Sequence, residues 1–72
     1  MMPLTMLSIG KSAIIKECRG KDSTKKFLEG LGMVPGTQIT VISENGGNLI
    51  VRVKDSRLAI GKGVAQQLWV VV

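Results

Sequence analysis

Residues 37–54 read TQITVISENGGNLIVRVK, and this stretch decides the fold. Hydrophobic and polar residues alternate on both sides of Glu44-Asn45-Gly46-Gly47. Ile39 and Val41 share one parity before it, and Leu49, Val51 and Val53 share one after it. Arg52 and Lys54 fall at the opposite parity. A period of two sends successive side chains to opposite faces of a strand. Asn-Gly between two such runs is the strongest short hairpin signal, because tight hairpin turns need positive φ. The pattern predicts strands over Thr37–Ser43 and Asn48–Lys54, with Asn45 and Gly46 making the turn.

The same logic extends outward. Downstream, Asp55-Ser56 predicts a tight turn, and Arg57–Ile60 a short strand with Leu58 and Ile60 inward. Gly61–Gln67 reads as a glycine-marked connector with room for one helical turn. Leu68–Val72 is a closing β-branched strand with Val70 inward. Upstream, Val34-Pro35-Gly36 predicts a type II turn: proline presets the first central angle and glycine supplies the positive φ. Before it lies a short helix, opened by the cap-type residues Asp22 and Ser23. Phe27, Leu28 and Leu31, at i, i+3 and i+4 spacings, form its apolar face, leaving Lys25, Lys26 and Glu29 to solvent. Gly32 suits its C-terminal cap. Ala13–Cys18 is the first strand, with Ile15 inward, and residues 1–6 are expected as a flexible lead-in. The expectation is one mainly β domain over residues 1–72. It is a small five-stranded, partly closed β-barrel with one short helix between strands 1 and 2, since closure hides strand edges.

Composition narrows the function classes. Of 72 residues, 44% are hydrophobic, so a core without covalent staples is feasible. The chain has no histidine and one cysteine, Cys18. It therefore has no internal disulfide and no nucleophile–histidine pair, and it makes a poor zinc or iron ligand set. No cofactor and no catalytic residue are expected. Net charge is +5, but the basic residues are dispersed. The two aromatics, Phe27 and Trp69, cannot build the stacking platform that single-stranded nucleic acids use. No apolar run approaches the roughly 20 residues of a membrane span. The N-terminal stretch is interrupted by Pro3 and lacks a preceding basic residue, unlike a signal peptide. A cytoplasmic location is the expectation.

The segment Leu28-x-x-Leu31-Gly32-Met33-x-Pro35-Gly36, a helix running into a turn and then a strand, resembles the FeoA family of ferrous iron transport proteins. The likeness extends along nearly the whole chain, including Ala13–Ile15, Thr37–Val41, Leu58-Ala59-Ile60, Ala65 and Val70. One departure is Gly61-Lys62-Gly63-Val64, where only Lys62 keeps the charge usual in that family. The resemblance implies an SH3-like barrel, a family label of transition-metal binding, and a bacterial adaptor in iron(II) uptake. Its partner would be the cytoplasmic GTPase region of the FeoB-type membrane transporter, with no nucleic acid and no membrane insertion involved and self-association left open.

The partner-binding candidates are Lys25, Lys26, Glu29 and Met33. Gly32, Pro35, Gly36, Asn45 and Gly46 are structural turn residues. Gly61-Lys62-Gly63 lacks the framing residues of a P-loop. An arginine finger supplied to a GTPase would have to be Arg19, Arg52 or Arg57. The competing classes are a nucleic-acid-binding basic barrel and the SH3-like barrel of a metal-dependent transcriptional repressor.

Overall fold

The computed structural model describes residues 1–72. The chain runs β1 (Met2–Pro3), a 3-10 turn (Leu4–Met6), β2 (Ser12–Cys18), α1 (Asp22–Gly30), β3 (Gln38–Asn45), β4 (Asn48–Val53), β5 (Ser56–Gly61), α2 (Lys62–Ala65) and β6 (Leu68–Val71). All pairings are antiparallel, in the order β1-β6-β2-β3-β4-β5.

The β3–β4 hairpin forms as its alternation requires, with Ile39 opposite Val53 and Val41 opposite Val51. Asn45 pairs with Asn48, so Gly46 and Gly47 occupy the turn centre, with φ of +57° and +84°. Two positive angles are the type I′ requirement. The turn centre thus lies one residue later than the Asn45-Gly46 expectation, because glycine outcompetes asparagine for a left-handed position. A bulge between Val41 and Ser43 bends β3. The next turn is also displaced: Val53 pairs with Ser56, leaving Lys54 and Asp55 at its centre.

Two expectations about architecture need correction. The sheet has six strands, not five, and it does not close, since the outer strands β1 and β5 do not pair. The extra strand comes from the segment expected as a lead-in. Met2 pairs with Val70 and Pro3 with Trp69, while Leu4 is fully buried and Leu7 nearly so. A two-residue strand carries no periodicity to read, and proline is tolerated there because an edge strand has one side without a partner. The helix α1 accordingly follows the second strand.

Fifteen hydrophobic side chains form one core, with no polar residue buried among them. Ile15, Leu28, Ile39, Val41, Leu49, Val51, Val53, Ile60 and Val70 are inside as expected; Leu31 and Leu58 are partly buried against its rim. Leu4, Leu7, Ala13, Met33, Ala65 and Leu68 complete it. Ala13 and Leu68 obey the alternation of Ile15 and Val70. Ala65 is the buried residue of α2.

Candidate functional site

The site is built where β2 parts from β3. Ser12–Ile14 pair with β3. The Ile15 N–H then donates to the Thr37 carbonyl (2.9 Å), and the Gly36 N–H donates to the Ile15 carbonyl (2.8 Å). Beyond Ile15, β6 is the only strand left paired to β2, and a register shift in that pairing sets Glu17 opposite Trp69 and Cys18 opposite Leu68. The flank left free faces α1 and the turn after it.

α1 begins at Asp22 with Lys21 as its N-cap, and no side chain caps it. Asp22 and Ser23 are therefore first-turn residues, and the Asp22 carboxylate complements the positive end of the helix dipole. The C-terminus is tightly specified. Gly32, at φ +84°, donates its N–H to the Glu29 carbonyl (3.0 Å), and Met33 donates to Leu28 (2.9 Å). These are the two bonds of a Schellman motif, which satisfy carbonyls the helix leaves open. The turn follows at once: Thr37 N–H to Val34 carbonyl is 3.1 Å and Gly36 has φ +92°, as a type II turn around Pro35 requires.

The helix face differs from the sequence expectation. Leu28 is buried, but Phe27 is 55% exposed. The i, i+4 partnership of Phe27 with Leu31 needs helix through residue 31, and the helix stops at Gly30 with Leu31 as its C-cap. Leu28 therefore carries the anchoring.

Of the four partner-binding candidates, Lys25, Lys26 and Glu29 are exposed. Met33 is only 2% exposed. Met33 packs beneath the turn, its N–H bonded to the Leu28 carbonyl, and so reaches the surface only as lining of a cleft. Lys25, Glu29 and Met33 nevertheless meet around one cleft of about 360 Å³, together with Glu17, Cys18, Leu28 and Pro35. Lys26 lies outside it. Met33, Leu28, Cys18 and Pro35 supply apolar lining, and Glu17, Lys25 and Glu29 supply charge. Glu17 is engaged by Arg19 at 3.2 Å, whereas Lys25 and Glu29 form no ion pair. A groove with apolar lining and charged edges suits a protein segment bearing an apolar side chain beside polar ones.

Other candidates resolve into structural roles. The Arg19 guanidinium lies 3.9 Å from the centroid of the Trp69 ring, a cation–π stack. Lys62 pairs with Glu44 at 2.9 Å, and its N–H donates to Gly47, so it ties α2 to the hairpin. Arg52 and Arg57 stand opposite each other on β4 and β5. No three metal-liganding side chains converge.

Comparison with known proteins now has a geometry to meet. Residues 2–72 match the FeoA domain. The chain belongs to the FeoA family. A Methanocaldococcus jannaschii protein, provisionally named Fe(2+) transport protein A, is 30% identical over 70 residues, covering 97% of this chain and 85% of its own length. The crystal structure of an iron uptake regulatory protein, FeoA, superposes with a TM-score of 0.87 at 33% identity, over 96% of this chain and 92% of that one. The zinc complex of Stenotrophomonas maltophilia FeoA, an SH3 domain protein, gives a TM-score of 0.85 at 25% identity, over 97% and 89%. The architecture described above is therefore the SH3-like fold of FeoA proteins. The zinc belongs to that relative.

Proposed function

We propose that this chain is a cytoplasmic FeoA adaptor. It docks the α1–Pro35 cleft onto the cytoplasmic GTPase region of a FeoB-type transporter and so supports iron(II) uptake, with no catalysis of its own. The observation that carries this reading is the convergence of Lys25, Glu29 and Met33 on one cleft with apolar lining. Exposed Phe27 and Lys26 stand on the same helix. Aromatic residues are enriched in interface cores, and a solvent-facing phenylalanine beside a cleft is a natural anchor. Lys25 and Lys26 form no ion pair, so they are free to steer an acidic surface toward the cleft.

The test is titration of ¹⁵N-labelled protein with the transporter's cytoplasmic domain. Shifts should cluster on residues 25–36 and on Glu17 and Cys18. Shifts confined to residues 45–47 or to Trp69 would overturn the assignment. Reversing the charge of Lys25 and Lys26 should slow association and flatten its salt dependence while the fold stays intact.

A further inference from the structure

A second recess lies on the outer face of the sheet and has a different chemistry. It measures about 350 Å³ and is lined by Thr37, Gln38, Thr40, Arg52 and Lys54, with no hydrophobic residue and no carboxylate. Thr40 and Arg52 are directly paired across β3 and β4, so their side chains start from one point on the same face. Thr40 also shares a hydrogen bond of 2.7 Å with Ser12 on β2. With Ser12 as donor, Thr40 keeps its own proton to donate outward. Arg57 stands opposite Arg52 on the other side. Like charges facing each other across strands are destabilising, and neither arginine nor Lys54 forms an ion pair. Asp55, the nearest acid in sequence, forms none either.

Two lining cations, two hydroxyls and an amide around a recess lined by no hydrophobic residue suit a compact dianion. A protein carboxylate would bring one charge, and its chain would find no hydrophobic side chain there. Arginine presents a planar fork to oxyanions and lysine a point charge, the usual division of labour around phosphate. We infer that the Thr37–Thr40–Arg52–Lys54 recess is a binding site for a phosphoryl group. Bound phosphate would relieve the Arg52–Arg57 repulsion. The site is separate from the α1–Pro35 cleft and does not depend on the docking reading.

The experiment is an amide titration with inorganic phosphate at ionic strength held constant with sodium chloride. Saturable shifts at Thr37, Thr40, Arg52 and Lys54 are expected. Arg52→Gln and Lys54→Gln should each weaken binding about tenfold or more, the scale of a lost charge-assisted hydrogen bond. Lys25→Gln with Lys26→Gln should leave it unchanged. Arg52 is exposed, and its replacement removes a like-charge pair, so the variant should fold, as its amide dispersion will show. Non-saturating shifts, shifts reproduced by chloride, or indifference to Arg52→Gln would each overturn the site. The source of the phosphoryl group is then read with phosphatidylcholine vesicles containing phosphatidic acid, whose headgroup is a phosphomonoester, against phosphatidylcholine alone. Co-sedimentation with the anionic vesicles alone, lost in Arg52→Gln, identifies a lipid headgroup; its absence beside saturable phosphate binding identifies a soluble phosphate ester. Vesicle binding without phosphate binding overturns the proposal.

Discussion

Two glycines six residues apart should respond in opposite directions to the same substitution. Gly36 has φ +92°, and no atom lies within 4 Å of the position a Cβ would take. Steric clash therefore contributes nothing, and Gly36→Ala isolates the backbone term. A side chain in the left-handed region costs about 1–2 kcal/mol, offset in part by the reduced freedom of the unfolded chain. The net loss should be about 1 kcal/mol. Gly30 also has open space around its Cβ position, but it is the last residue of α1 and its φ is not positive. There alanine gains about 0.5–1 kcal/mol over glycine. In a domain of this size each kcal/mol moves the thermal midpoint by about 4–8 °C. The two variants should melt on either side of the wild type, roughly 10 °C apart. Urea and thermal unfolding followed by circular dichroism read this directly. A Gly36→Ala midpoint equal to or above wild type would refute the assignment of the type II turn, and a Gly30→Ala midpoint below wild type would refute the helical end at Gly30.

Three further outcomes follow from the packing. Leu28→Ala should cost about 2–5 kcal/mol, while Phe27→Ala, one position earlier, should stay within about 0.5 kcal/mol because Phe27 is exposed; urea midpoints that rank them the other way would reverse the helix face. Leu4→Ala should cost a comparable core amount, about 2–5 kcal/mol, since Leu4 is fully buried, and an unchanged midpoint would detach β1 from the sheet. Arg19→Gln should alter the fluorescence of Trp69, the only tryptophan, and cost no more than about 1 kcal/mol; an emission spectrum identical to wild type would mean that the stack does not form in solution.

Much of the fold was legible because it is local. The alternation over residues 37–54 is a strand signal that no other period satisfies, and Leu58, Ile60 and Val70 continue it. The helix end and the turn were legible for the same reason: Gly32 and Gly36 mark positions where only a residue without a Cβ is comfortable. What could not be read were the non-local pairings. Met2 and Pro3 become a strand only because β6 passes beside them. Met2-Pro3-Leu4 holds no pattern that distinguishes a paired edge from a loose end. Barrel closure was an inference from the liability of exposed edges, and the chain meets that liability differently, with a two-residue outer strand containing proline.

The candidate cleft shows where this boundary between local and non-local falls. Lys25 and Glu29 were recognisable as outward residues, because helical spacing alone separates them from Leu28. Met33 is harder to place from sequence, since its direction depends on the bond from its N–H to the Leu28 carbonyl, and that bond depends on where the helix stops. Glu17 and Cys18 were not recognised at all. They line the cleft where β2 has parted from β3 and pairs with β6 alone, and neither the end of that pairing nor the bulge against β6 has a residue signature in Ile15-Lys16-Glu17. The polar recess was hidden by the same mechanism. Arg52 and Lys54 read as ordinary solvent-facing strand residues until the β3–β4 register sets Thr40 beside Arg52 and the β4–β5 register sets Arg57 across from it. In a small sheet protein the inward face is written along each strand, but the surfaces that meet other molecules are written across strands. Register, which joins residues far apart in the chain, is therefore what turns dispersed charges into a site.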